Sequence, residues 1–268
     1  MDNVVRLEQE RARATRVAWP SSEGHQGAVE LLRMMGVEPA EGVRDTAVPV
    51  AVRRVSGGES LFHEGAAAEA LHFVRAGTFK IFRTAEDGYE QVLGFAGRSE
   101  VMGFDAVCSG VHPSSAVALE DSSVFAVQMR DLSGLGQRMP KLDMLVHHAA
   151  SSALASRGEL ADLMAAVAAE VRVARFLLQL SQRMECCGQS PRRFHLRMSR
   201  RDIASYLGLA HETVSRSFSA LARWGLVRVN NRELEVLDMA GLHTLALNTR
   251  RQVDEHAGAA RLNGVVAA

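Results

Sequence analysis

The sequence predicts an α+β protein with an N-terminal antiparallel β sandwich or jelly roll, one long helix and a C-terminal winged helix-turn-helix. Three observations carry this. Short apolar runs broken by turn residues occupy about Val48 to Met129. A helical period of apolar and small residues runs from Pro140 to Val167. Two helices followed by a hairpin fit between Ser199 and Leu237. At 268 residues, 47% apolar and 23% charged, the chain has the size of about two domains and the mix of a globular protein.

Residues 1–27 are polar and irregular, and Trp19-Pro20-Ser21-Ser22-Glu23-Gly24 reads as loop, so a flexible N-terminal arm is expected. Met1–Gln9 alternates charged and apolar residues, unlike a secretory signal. No stretch of about 18 apolar residues is present, which argues against a membrane partner. The expectation is a cytoplasmic protein. Cysteine usage agrees: Cys108, Cys186 and Cys187 are too few, and odd in number, for a disulfide framework. No Cys-x-x-Cys pair offers a structural zinc site of that type. Cys108 is expected to be buried packing.

Residues 28–139 are read as the sandwich domain. Ala28–Met35 suits a short helix. Strand candidates follow at Leu71-His72-Phe73-Val74, Phe79-Lys80-Ile81-Phe82, Gln91-Val92-Leu93-Gly94-Phe95 and Val124-Phe125-Ala126-Val127. Turn residues separate them, among them Asp87-Gly88, a strong hairpin signal because glycine accepts positive φ. Short strands at near-regular spacing predict a sandwich or jelly roll.

Residues 140–168 are read as a dimerisation helix. Leu142, Leu145, Ala149, Ala153, Ser156, Leu160, Leu163 and Val167 recur in steps of 3 or 4, close to the 3.5 average of a coiled-coil seam. Such a helix extends about 40 Å at 1.5 Å per residue. The competing arrangement is a helix packed on its own sandwich. Glu170–Met184 is a further helix, with Val173, Phe176, Leu177 and Leu180 on one face. Cys186 through Pro191 reads as loop.

The zero formal net charge hides an asymmetry. Between Arg192 and Glu233 nine arginines stand against three acids, an excess of about +6. A basic segment in a neutral chain is the footprint of a polyanion partner. Inside it, Ser199 and Asp202 form a capping box that starts a helix with Ile203 and Leu207 on one face. Gly208 permits a tight turn. A second helix, about His211 to Trp224, buries Val214, Phe218 and Leu221 and turns His211, Glu212, Ser215, Arg216 and Ser219 the other way. Arg reads guanine bidentately, Glu accepts from the cytosine amino group, and Ser contacts base or phosphate. These groups sit at the helix start, the end that enters the major groove of double-stranded DNA in this motif. Leu226–Val229, Asn230-Asn231 and Arg232–Leu237 then read as a two-stranded wing with an Asn-Asn turn. Residues 169–249 thus form a winged helix-turn-helix, and residues 250–268 a polar tail.

The run Met198–Leu209 followed by Glu212-Thr213-Val214-Ser215-Arg216 resembles the recognition motif of the superfamily of the cyclic-AMP receptor protein and the fumarate–nitrate reduction regulator (Crp-Fnr), closer to the second branch. Val101–Ala106 and Gly110–Ser114 resemble its sandwich domain. The resemblance implies a cyclic-nucleotide-binding-like jelly-roll sensor, a long dimer helix and a winged helix in a homodimeric transcription regulator that recruits or blocks RNA polymerase. It also implies a TTGAT-like palindrome read by Glu212, Ser215 and Arg216. The DNA-binding set is then His211, Glu212, Thr213, Ser215 and Arg216, with Ser199, Arg200 and Arg201. Ala210 replaces the Ser or Thr usual at the second helix start, a lost cap of about 1 kcal/mol.

The resemblance also implies an input, and here the residues depart from it. A cyclic nucleotide needs a Glu after the glycine and an Arg before a Ser/Thr-Ala pair, but Phe104 follows Gly103 and Ser114-Ser115-Ala116 lacks the Arg. Burying a phosphate without a cation is costly. The iron–sulfur cluster of the second branch needs four thiolates; the chain has three cysteines, none in the arm, and Phe125 stands at the sandwich position. Neither cofactor is expected. Alternatives are haem on one of His63, His72, His112, His147 or His148, a thiol switch at Cys186 and Cys187, or a signalling module docking a protein. A factor with no ligand is the first reading, by elimination. No nucleophile–base pair, carboxylate pair or metal set points to an enzyme.

Overall fold

The computed structural model describes residues 27–39, 48–166 and 168–247. The expected arm up to residue 26, the tail 250–268 and Val167 of the seam lie outside the described residues. The chain divides into two compact units between Ser156 and Arg157.

Among the described residues, the N-terminal unit has helix α1 (Gly27–Met34) and eight strands: β1 (Val50–Val55), β2 (Ser60–Phe62), β3 (Ala70–Ala76), β4 (Phe79–Thr84), β5 (Glu90–Ala96), β6 (Val101–Met102), β7 (Ser115–Ala118) and β8 (Ser122–Gln128). They form two four-stranded antiparallel sheets, ordered β1-β8-β3-β6 and β2-β7-β4-β5. This is the expected jelly roll. Asp87-Gly88 lies in the β4–β5 hairpin, with Gly88 at φ 82°.

Two apolar layers explain why β3 and β8 read as continuous apolar runs rather than alternating ones. Between the sheets lie Val55, Leu61, Phe62, Val74, Phe79, Met102, Ala116 and Val124. On the other face of the first sheet, Leu71, Phe73, Phe125 and Val127 pack with Ala28, Leu31 and Leu32 of α1 and with Leu135, Met139, Leu142, Leu145 and Ala149. Both faces of these strands are therefore dry, and period-two alternation has no solvent side to mark.

Short helices α2 (Met129–Leu132) and α3 (Leu135–Arg138) lead into α4 (Pro140–Ala165), the expected long helix. Its seam differs from expectation. Leu142, Leu145 and Ala149 are spent on the sandwich core of their own chain, and Leu163 is also buried. A second stripe, Met144, His147, Ser151, Leu154, Gly158, Ala161 and Ala165, has the same 3-and-4 spacing and is exposed throughout. Periodicity identified the helix, but two overlapping stripes compete for the role of seam, and only packing separates them.

The C-terminal unit contains α5 (Ala169–Cys186), β9 (Arg193–His195), α6 (Arg200–Leu207), α7 (His211–Arg223), β10 (Val227–Asn230), β11 (Glu233–Val236) and α8 (Met239–Leu247). Val173, Phe176, Leu177 and Leu180 of α5 are buried, as are Ile203 and Leu207 of α6 and Val214, Phe218 and Leu221 of α7. Phe176 and Tyr206 meet as tilted rings 5.8 Å apart. The wing is a three-stranded antiparallel sheet, β10-β11-β9, one strand more than the expected hairpin.

Three local expectations are corrected. Cys108 is exposed, because it lies on a loop after the short 3-10 turn Phe104–Ala106 rather than on a core strand. Cys186 is the last residue of α5, not loop, and the Cys187 N–H closes that helix on the Arg183 carbonyl. The wing turn is shifted by one residue: Asn230 still pairs with Glu233, so Asn231 and Arg232 make the turn, with Asn231 at φ 55°.

Candidate nucleic-acid interface

Helix α6 starts as the sequence requires. The Asp202 N–H donates to Ser199 Oγ at 3.1 Å, and the Ser199 N–H donates to Asp202 Oδ2 at 2.9 Å. The hydroxyl of Ser199 also donates to Asp202 Oδ2 at 2.6 Å. Ser199 is thus engaged in holding the helix start. Gly208 ends α6 at φ 60°, where a side chain is strained, and a Cβ there would meet Met164 Cε at 2.6 Å. Arg172 secures the same turn, donating to the Leu207 carbonyl at 3.1 Å. Two helices are so fixed around a three-residue connection.

Helix α7 has no side-chain cap at Ala210, as expected. His211, Glu212, Arg216 and Ser219 are exposed; Thr213 and Ser215 are half-buried. Arg216 Nε donates back to the Glu212 carbonyl at 3.3 Å, which lays the guanidinium along the exposed face. Six residues line a groove of about 330 Å³ between the starts of α6 and α7 and the wing tip: Ser199, Arg200, Arg201, His211, Asn231 and Arg232, with Leu196 and Met198 at its floor. The sequence places Asn231 in the wing turn and Arg232 after it, but neither in the DNA-binding set. Asn231 turns the wing tip with φ 55°, and the Asn turn read in the sequence locates the tip but not the groove it lines.

The arginines of the basic segment are not equivalent. Arg193 and Arg228 both bind Glu235, across β9, β11 and β10, at 2.6 and 2.7 Å. Hydrogen bonding from Arg193, and the charges of both arginines, hold the Glu235 carboxyl below its ordinary range. Arg200 stacks its guanidinium 3.5 Å from the centroid of the Phe218 ring, and its Nη1 is buried without a hydrogen-bond partner. Burial lowers its pKa from the usual arginine value. Arg201, Arg216, Arg223 and Arg232 remain exposed. The segment's charge is therefore partly spent on the fold; Arg192 and Arg197 are exposed as well, and Arg201 and Arg232 line the groove.

Inside the N-terminal unit, Gly103 has φ 96°, and a Cβ there would lie 3.2 Å from the Ala70 carbonyl and 3.6 Å from His112 Cε1. His112 stacks on Phe62 with ring centroids 3.9 Å apart, and Phe62 in turn stacks on His72 at 5.9 Å. Both imidazoles are 3% exposed, and each has an Nδ1 without a hydrogen-bond partner. Burial first, then the neighbouring His112 and Arg53, lower the pKa of His72 to about 3; burial also lowers that of His112, opposed by Asp105. Of the five histidines weighed for haem, only His72 and His112 come together. His63 is half-buried, and His147 and His148 are exposed on α4. Among the described residues no group of three or more metal-ligating side chains forms, and no helix is long and apolar enough to cross a membrane.

A jelly roll joined through a long helix to a capped helix-turn-helix with a wing defines a DNA-binding transcription regulator. The comparisons agree: residues 52–138 match the cyclic nucleotide-binding domain and residues 171–245 the Crp-like helix-turn-helix domain. The chain belongs to the Crp-Fnr family. It is 38% identical over 192 residues to the transcriptional regulatory protein btr of Bordetella pertussis, covering 72% of this chain and 79% of that one. It is 36% identical over 193 residues to the fumarate and nitrate reduction regulatory protein of Escherichia coli, covering 72% and 77%. Among solved structures, FixK2 from Bradyrhizobium japonicum is 27% identical with a TM-score of 0.66, covering 75% of this chain and 99% of that one.

Proposed function

We propose that the protein binds a TTGAT-like palindrome as a homodimer and regulates transcription by contact with RNA polymerase, without cyclic AMP or an iron–sulfur cluster. In this reading residues 28–139 form the sensor domain, 140–168 the dimerisation helix and 169–249 the DNA-binding domain. The observation that carries it is the exposed set His211, Glu212 and Arg216 at the start of α7, beside Arg201 and Arg232 on the groove rim. A helix start with a reading Arg and Glu, flanked by phosphate-binding cations, is suited to a major groove. Thr213 and Ser215 complete the α7 set, and Ser199 and Arg200 act by holding the α6 start against α7.

Dimerisation is supported by the exposed α4 stripe, in which Met144 and Leu154 leave 57% and 69% of their surface in water. Small residues, Ser151, Gly158 and Ala161, stand between and beyond them and permit close approach of a second copy. A ligand-free sensor is supported by the packing at Gly103, where the His112 and Phe62 rings stack beside it, and by Arg83, the guanidinium next to Ser114, being engaged by the Pro113 carbonyl and Glu64. Positions 114 and 115 themselves carry hydroxyls and not the cation that a buried phosphate calls for.

The test is binding of the purified protein to a duplex carrying the TTGAT palindrome, to a single half-site and to an unrelated duplex, across a range of salt. Tight binding to the palindrome with a steep salt dependence is expected. Equal affinity for all three duplexes overturns the assignment.

A second reading, an oxidation-sensitive regulator, is favoured by the exposure of Cys186 at the end of α5. It requires palindrome binding to fall on oxidation and to be protected in a Cys186→Ser, Cys187→Ser variant.

A further inference from the structure

We infer that a groove on the N-terminal unit is a binding site for a small ligand carrying at least two negative charges on phosphate oxygens. The groove has a volume of about 570 Å³ and is lined by Glu30, Arg33, Met34, Arg75, Ala76 and Arg98. That size falls within the range of small-molecule pockets. Its three guanidiniums come from three separate places: the last turn of α1, the end of β3 and the β5–β6 loop. The single carboxylate, Glu30, takes both Nε and Nη2 of Arg75 on one oxygen, each at 2.7 Å. The groove's lining side chains, three arginines and one glutamate, sum to a formal +2, which suits a ligand with more than one negative charge.

Two of the three guanidiniums, those of Arg75 and Arg98, are held in place by the fold. The Arg75 guanidinium lies 5.7 Å over the ring of fully buried Phe125. Arg98 Nη1 donates to the Arg75 carbonyl at 3.3 Å. The Arg33 side chain makes no hydrogen bond or ion pair to any described residue, so its fork is free for an incoming oxygen. Planar guanidinium forks suit phosphate oxygens, and three of them around one groove match a ligand with several such atoms.

Occupancy would be felt beyond the groove. A phosphate that competes for Arg75 loosens its pair with Glu30, and Glu30 sits on the helix whose Ala28, Leu31 and Leu32 share a core with Phe125 and with Leu142 and Leu145 of α4. The site shares no lining residue with the Gly103 interior.

Isothermal titration of the full chain with inorganic pyrophosphate, at fixed ionic strength and against a sodium chloride control, tests this. Saturable one-to-one binding is expected. An Arg33→Ala, Arg98→Ala variant weakens it about tenfold, because two charge-assisted contacts are lost. Glu30→Gln removes the competing carboxylate and tightens binding about threefold. Glu86→Gln, the same charge change at an exposed turn, leaves it unchanged. An Arg201→Ala, Arg232→Ala variant serves as the control for pyrophosphate held at the DNA face, and retention of binding there supports the groove. The inference is overturned by no heat above the chloride control, or by binding that is lost in the DNA-face variant and kept in the groove variant. Equal effects of Glu30→Gln and Glu86→Gln also overturn it.

Discussion

The Arg200 guanidinium lies 3.5 Å from the Phe218 ring centroid, so a cation at the start of α6 is stacked on the buried face of α7. This relationship separates two neighbours that look alike in sequence. Arg200 joins the helices, and Arg201 is turned to solvent. Arg200→Ala is expected to lose about 1–2 kcal/mol of stability, a fall of several degrees in melting temperature, and DNA affinity with it. Arg201→Ala is expected to melt like the parent and to reduce the slope of log affinity against log salt by about 1. Thermal melts and salt titrations of the two variants decide the point; identical melting of both would remove the structural role given to Arg200.

Arg216 is exposed on the face of α7 that carries Glu212. Arg216→Ala is expected to weaken palindrome binding by about 1–3 kcal/mol and to relax discrimination at one base pair of each half-site. Competition with duplexes altered one position at a time measures this, and unchanged discrimination at every position would refute the role.

Leu154 is the most exposed large apolar residue of α4 and lies in the stripe assigned to the second copy. Leu154→Arg is expected to give a monomer by sedimentation and to abolish preference for the palindrome over a half-site. Leu145→Ala, on the sandwich side of the same helix, is expected instead to cost about 2–5 kcal/mol of stability as a core cavity. A dimeric Leu154→Arg protein would move the interface elsewhere.

His72 is buried and holds its proton only near pH 3, against an ordinary value of 6.5. Between these values the unfolded chain binds a proton that the folded chain does not, so stability rises with pH. The contribution is complete above about 6.5 and is lost on acidification towards 3, at up to about 1.4 kcal/mol per pH unit. His112 acts in the same direction, since burial lowers its pKa too. Urea unfolding from pH 7.5 to 4 should show this slope and a flatter one for His72→Leu; identical slopes would show that His72 does not titrate on unfolding.

Much of the C-terminal unit was legible because its signals are local. The capping box needs only Ser199 and Asp202, three residues apart, and both of its hydrogen bonds form. The buried stripe Val214, Phe218 and Leu221 follows from helical spacing alone. What was not legible depends on partners distant in sequence. A three-residue strand, Arg193–His195, has no period to display, yet it completes the wing by pairing with β11. Arg200 reads as one more surface charge until Phe218 is beneath it. The same limit applies to Arg33, Arg75 and Arg98, which share no motif and meet only through the packing of α1 and the loop before β6. Leu142 and Leu145 had the spacing of a seam, but spacing does not say whether the other side is a second copy or the chain's own sheet.

The double-sided burial of β3 and β8 has a consequence for how the N-terminal unit breathes. Their amides are paired to neighbouring strands and shielded by apolar layers on both faces, so no local fraying can reach them. Deuterium should enter these two strands last, only when the whole unit opens, whereas two-residue β6 at the sheet edge should exchange early. A unit built on that pair is a rigid plate, and any displacement crossing it must travel as a tilt of the helices that lie upon it.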